Sequence, residues 1–208
     1  MIDINRKLLF VHIPKCAGTF IEKNLTPNID WHKIGEKHFS MQHCIDTYGK
    51  DVVSGCFKFS VVRNPYSRLL SFFLYHKRKN TSYFKINAFE KNLRKFKKDY
   101  QRNFSSFIFN LKNYHHKLES WAKNDLRPCH DFFTNFQGIE IDLILKQENL
   151  AEDLEKLQAK TNLFFKNERI NAAPSAYDLL DFYKNSEIEF VKEYYKTDFF
   201  YYYPNLDL

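Results

Sequence analysis

Lys15, Gly18 and Thr19 stand in the stretch FVHIPKCAGTF at residues 10–20, between an apolar run that reads as a strand and a run that reads as a helix. Where a chain passes from strand to helix through a glycine, its backbone amides can face an anion and approach it closely. Lys15 adds a mobile full charge, and the amides of Ala17, Gly18 and Thr19 would converge at the start of the helix. The triphosphate-binding motif G-x-x-x-x-G-K-[ST] is absent: there is no first glycine, and the lysine precedes the glycine instead of following it. Taken alone, K-x-x-G-T also suits an ordinary strand-to-helix turn.

A second group of the same character follows the next apolar run. Arg63 leaves the strand-like CFKFSVV, and Ser71 lies two helical turns on, in RNPYSRLLS. A guanidinium and a hydroxyl can share one phosphate, the guanidinium through paired charge-assisted bonds. The alternative is an Arg63 paired with a carboxylate and an incidental Ser71. Two anion sites at neighbouring strand ends, with no acidic magnesium-binding residue obvious beside either, suit a ligand carrying two separated phosphate-like groups.

The elements that must position these groups follow from periodicity and punctuation. Residues 7–13 and 56–62 read as short strands buried on both faces, and residues 139–146 as a third. Helices are expected over 19–25, with Thr19 as cap and Glu22 as its capping-box partner, and over 41–48, capped by Ser40 and ended by Gly49. A further helix starts at Pro65, a residue suited to a first turn, and puts Leu69, Leu70, Phe73 and Leu74 on its apolar face. One or two helices are expected within residues 81–135, then helices at 150–160, 176–185 and 187–202. Strands alternating with helices predict an α/β fold in three layers, with a central, mainly parallel sheet flanked by helices. The 208 residues fit one domain. The Tyr- and Phe-rich tail reads as docked on the core.

The residues quoted so far resemble the cofactor motifs of the sulfotransferases, and in particular of their carbohydrate branch. FVHIPKCAGTF and FKFSVVRNPYSRLLSFF are similar to the two motifs with which that family holds its donor, 3′-phosphoadenosine 5′-phosphosulfate (PAPS). LKQENLAEDLEKL is similar to the family's D-x-I-x-x-x-E-N-L-x-x-D stretch, and the ending EFVKEYYKTDFFYYYP to its closing V-x-x-x-Y-x-x-D-F-x-x-x-x-Y pattern. Four blocks in the expected order leave residues 77–125 unmatched. The resemblance implies a P-loop-like domain over residues 1–208 that transfers a sulfonyl group to a hydroxyl, without a metal. It implies that Lys15, Cys16, Ala17, Gly18, Thr19 and Phe20 surround the phosphosulfate and that Arg63 and Ser71 hold the 3′-phosphate. Ser175, in NAAPSAY, falls where the family often has a loop over the nucleotide. RPCH departs from an R-P-Q pattern common in related chains, with Cys129 in place of glutamine.

In such a transfer Lys15 would stabilise the leaving phosphate. An alcohol acceptor also needs a general base, for which histidine is the usual group. His38 resembles a histidine that often lies between the two cofactor motifs; His43, His12 and Glu22 compete for the role. His12, inside the first strand, reads better as a packed histidine, and His32 and His76 as surface residues. No H-E-x-x-H grouping marks a metal site. Cys16, Cys44, Cys56 and Cys129 are scattered without a C-x-x-C pair, which predicts free thiols in a reducing compartment.

The formal net charge is +7, and its placement says more than its size. Ten Lys and Arg against Glu90 and Asp99 put +8 on residues 77–103, leaving the remainder near neutral. With Tyr83, Phe84, Phe89, Phe96 and Tyr100 interleaved, this segment could receive an acidic glycan, or form an amphipathic helix with a solvated face. No nucleic-acid-binding motif accompanies it. The first residues lack the apolar run of a signal peptide, and no stretch is apolar over the roughly 18 residues a span requires. Animal members of the family it resembles usually carry a membrane anchor and a disulfide-rich luminal domain, so the resemblance implies a cytoplasmic enzyme of bacterial type. Two other classes remain open: a non-catalytic protein of the same fold that binds a nucleotide or polyanion, and, weakened by the missing Gly-Lys pair, a kinase.

Overall fold

Strands buried on both faces need mainly apolar runs, and two such runs form the centre of the sheet. In the computed structural model, which describes residues 1–26, 29, 31, 38–78, 100–165 and 182–206, they are β2 (Leu8–Val11) and β4 (Phe57–Val62). The two run parallel, with Leu8 opposite Phe57 and Val11 opposite Ser60. Phe10 and Phe59 are cross-strand partners whose rings stack 4.9 Å apart. On the far side of β4, β5 (Leu143–Lys146) is also parallel, while β1 (Ile2–Asp3) pairs antiparallel with β2. The sheet order is β1-β2-β4-β5, so the parallel core is as expected and the short antiparallel edge is an addition.

The chain divides into two compact units. The first, residues 1–64 and 129–171, holds this sheet with α1 (Gly18–Asn24), α2 (Met41–Tyr48), α3 (Lys50–Ser54) and α7 (Leu150–Thr161). The Ser40 side chain caps α2 by accepting from the His43 amide at 3.3 Å, and Gly49 ends that helix at φ 86°. A two-residue ladder joins β3 (Leu25–Thr26) to β6 (Phe164–Phe165). Neither this ladder nor α3 has a periodic signal long enough to read from sequence.

The second unit, residues 65–128 and 172–208, contains α4 (Pro65–Arg78), α5 (Tyr100–Tyr114), α6 (Ser120–Leu126), α8 (Asn185–Tyr194) and α9 (Lys196–Tyr202). Leu69, Leu70, Phe72 and Phe73 of α4 pack with Phe104, Phe107 and Leu111 of α5 and with Val191 and Tyr195 in one aromatic-rich core. Arg68, 2% exposed, donates to the carbonyls of Asp125 and Arg127, and the Tyr195 hydroxyl donates to that of Leu126. Three successive carbonyls at the end of α6 thus find donors, which an ending without them would leave unsatisfied.

His76 corrects the expectation of a surface residue. It follows Phe72 by one turn, which turns it inward, and its ring lies 4.3 Å from that of Phe72 and 6.1 Å from that of Trp121. The tail divides: Val191, Tyr195 and Asp198 are buried, whereas Phe200 and Tyr201 are exposed. Most of the helix expected over 176–185 and most of the basic segment 77–103 lie outside the described residues. Among the described residues no helix is long and apolar enough to cross a membrane.

Candidate functional site

Because β2 and β4 are parallel neighbours, their carboxyl ends lie side by side, and the chain leaving each enters a helix. Loops at such strand ends are where open α/β sheets hold ligands. After β2 the chain turns tightly. Lys15 (φ 65°) and Ala17 (φ 57°) both adopt left-handed backbone, which is rare outside glycine. The Ala17 carbonyl already accepts the amides of Phe20 and Ile21, at 2.9 and 3.2 Å. Ala17 is therefore the residue at which α1 begins, which corrects the expectation of a Thr19 cap: Thr19 lies inside the first turn, and the cap residue makes no side-chain bond. Lys15, Ala17 and Phe20 are half-buried, Cys16 and Gly18 buried, Thr19 exposed.

Gly18 is required by contact rather than by torsion. A β-carbon there would overlap the His12 imidazole at Cδ2 and Nε2. His12, 3% exposed, stacks against Phe10 and lies against the first residue of α1, so it is a packed residue. Its backbone carbonyl accepts from His38 Nδ1 at 3.2 Å, and the two rings meet edge-on at 4.6 Å. A carbonyl can only accept, so this bond places a proton on Nδ1. His43 sits exposed on α2, stacked on Phe39.

At the end of β4, Arg63 reaches back to the first loop: its Nη1 donates to the Lys15 carbonyl at 3.3 Å. The next amide, Asn64, is held by Glu148 Oε1 at 2.8 Å. That glutamate belongs to the block D-x-I-x-x-x-E-N-L-x-x-D, and the two other carboxylates of the block do similar work. Asp142 accepts the Lys58 amide at 2.7 Å and pairs with the Lys58 ammonium, also at 2.7 Å; Asp153 accepts the Lys146 amide at 2.6 Å. Asp142 and Glu148 thus grip β4 near its start and just past its end. The block itself was legible in sequence, but the role of its carboxylates as backbone acceptors was not.

Cys16 and Cys129 also meet, their sulfurs 3.9 Å apart, and all four cysteines are free and buried. Of the remaining residues singled out, Ser71 is half-buried on α4 in the second unit, and Ser175 lies outside the described residues. No group of three or more metal-ligating side chains is found among the described residues.

The first unit therefore brings together Lys15, the turn at residues 15–18, Arg63 and His38. Such a cluster offers two cations, a tight turn into a helix and an imidazole held through Nδ1: the means to hold an oxyanion and to take a proton nearby. Compared with known protein families, the chain matches the model described as the sulfotransferase family over residues 1–204. Neither a curated protein nor a solved structure matches it.

Proposed function

The chain belongs to the sulfotransferase family, and on that premise we propose that it moves the sulfonyl group of PAPS to a hydroxyl of a saccharide or glycan. The observation that carries this reading is the bond from Arg63 to the Lys15 carbonyl. It supports treating two motifs separated by 48 residues as parts of one P-loop-like donor site. The family match crosses both compact units, which supports regarding them as one sulfotransferase domain.

In the proposed step the acceptor oxygen attacks sulfur as its proton passes to Nε2 of His38. The bond from sulfur to the 5′-phosphate oxygen breaks, and 3′,5′-adenosine bisphosphate leaves. Lys15 and the amides of residues 17–19 stabilise the charge growing on the bridging oxygen, with Cys16 and Phe20 completing the loop around it. Holding donor and acceptor in line supplies much of the remaining acceleration. Arg63 and Ser71 hold the 3′-phosphate, and Ser175 lies on the loop over the nucleotide. Residues 77–125 receive the acceptor, and the positive charge there favours an acidic glycan. Four free thiols support a reducing, cytoplasmic setting.

Titration calorimetry with 3′,5′-adenosine bisphosphate in the presence of a metal chelator tests the donor site. Binding that persists without magnesium and weakens about tenfold or more in Arg63→Ala agrees with the reading. Binding of ATP that requires magnesium, with none of the bisphosphate, would replace it with a kinase.

A further inference from the structure

Cys16 lies between the two left-handed residues of the loop, and its sulfur is 3.9 Å from that of Cys129. The two are 113 positions apart in sequence, and both are almost completely buried, so the fold itself selects this pair. Cys129 stands where the related pattern has glutamine, and it opens a 3-10 turn over His130–Phe132 by accepting the Phe132 amide at 3.1 Å. A thiol on a tight loop thus faces a thiol on a separate anchored segment.

We propose that Cys16 and Cys129 are a reversible oxidation site through which a small hydroperoxide switches off donor binding. The proposal rests on the reading of residues 15–20 as the donor loop. The Cys16 thiol, on the loop whose Lys15 carbonyl Arg63 holds, gives up its proton and attacks the oxygen of hydrogen peroxide; the O–O bond breaks, the displaced hydroxide takes that proton and leaves as water, and a sulfenic acid remains at Cys16. Cys129 then attacks that sulfur, the S–S bond forms and a second water leaves. The two sulfurs together lose two electrons, which the hydroperoxide takes up, and a dithiol reverses the change. Bond formation brings the sulfurs to roughly 2.05 Å. The loop must follow Cys16 toward Cys129, and the amides of Ala17 and Gly18, next in the chain, move with it.

The test uses the full chain treated with hydrogen peroxide, quenched with catalase and digested without reductant. A peptide joining Cys16 to Cys129, lighter than its two parts by two hydrogens and cleaved by dithiothreitol, is expected. Calorimetry on the same sample is expected to show affinity for 3′,5′-adenosine bisphosphate lowered about tenfold or more and restored by dithiothreitol. Cys129→Ser, or Cys129→Ala should the first fold poorly, is expected to keep its affinity through the same treatment. Sulfinic acid at Cys16 without the joined peptide overturns the site, and a joined peptide with unchanged affinity overturns the switch. If the reduced chain binds no bisphosphate, the donor-site reading fails and the switch with it, while the joined peptide still decides whether the disulfide forms.

Discussion

Arg63 donates from Nη1 to the carbonyl of Lys15 at 3.3 Å, tying the loop after one central strand to the loop after its parallel neighbour. A single guanidinium thereby fixes the backbone of the residue expected to meet the leaving phosphate. The consequences can be measured at several points around this link.

His12 and Gly18 form one steric unit, because a β-carbon at Gly18 would overlap the imidazole. Gly18→Ala is expected to cost about 1–3 kcal/mol in urea unfolding through overpacking. Adding His12→Ala should recover part of that loss, giving a measurable coupling. Strict additivity of the two changes would mean that the ring does not set the requirement for glycine.

Asp153 is buried and accepts the Lys146 amide, whereas Glu148 is exposed and accepts the Asn64 amide. Asp153→Ala should cost about 1–3 kcal/mol and Glu148→Ala about 0.5–1.5 kcal/mol, since water can replace the exposed acceptor. The order reverses for donor affinity, because Glu148 holds the residue that follows Arg63. Equal effects of both variants on stability and on bisphosphate binding would count against this division.

Arg68 spans two carbonyls with one planar fork. Arg68→Ala is expected to destabilise the second unit by roughly 2–4 kcal/mol. Arg68→Lys should rescue little, because one ammonium cannot reproduce the fork. Full rescue by lysine in thermal unfolding would show that charge alone matters at this position.

Burial drives the Tyr183 hydroxyl well above its ordinary value near 10, with Tyr195, Tyr66 and Glu187 adding to the effect. The folded chain therefore keeps this proton to higher pH than the unfolded chain does. Stability from this group is complete below about pH 10 and is lost as pH rises above it. Tyr183→Phe should lower neutral stability by about 1 kcal/mol, for the lost bond to the Tyr66 carbonyl. The variant should also flatten the alkaline decline in urea midpoints. An unchanged alkaline slope would place the titration elsewhere.

The parts of this fold that were legible in sequence are those with strong local signals. Mainly apolar runs gave β2 and β4, Ser40 and Gly49 marked the ends of α2, and Pro65 opened α4. What escaped depends on contacts distant in sequence. The inward turn of His76 needs the packing of α4, and the pairing of Cys16 with Cys129 needs the whole first unit to assemble. The start of α1 at Ala17 escaped because a left-handed alanine has no composition cue, while Thr19 carries a strong one. In the site, the residue types at Lys15, Arg63 and His38 were readable, but the bonds from Arg63 to the Lys15 carbonyl and from His38 to the His12 carbonyl were not, since any residue can offer a carbonyl.

His38 is bonded through Nδ1 to the His12 carbonyl, and Nε2 is the atom proposed as base. His38→Ala is expected to reduce kcat for sulfonyl transfer about 10²–10⁴-fold while leaving donor affinity nearly unchanged. A variant that keeps its turnover would move the role of base to another group.

The Lys15 loop is proposed to handle the leaving phosphate of a sulfonyl donor. Transfer of radiolabel from PAPS to a panel of saccharides, compared between the native chain and a folded Lys15→Ala variant, tests it most directly. Label is expected on at least one saccharide with the native chain, with a loss of about 10²-fold or more in the variant. Equal transfer by both proteins, or none by the native chain while it binds the bisphosphate, would contradict it.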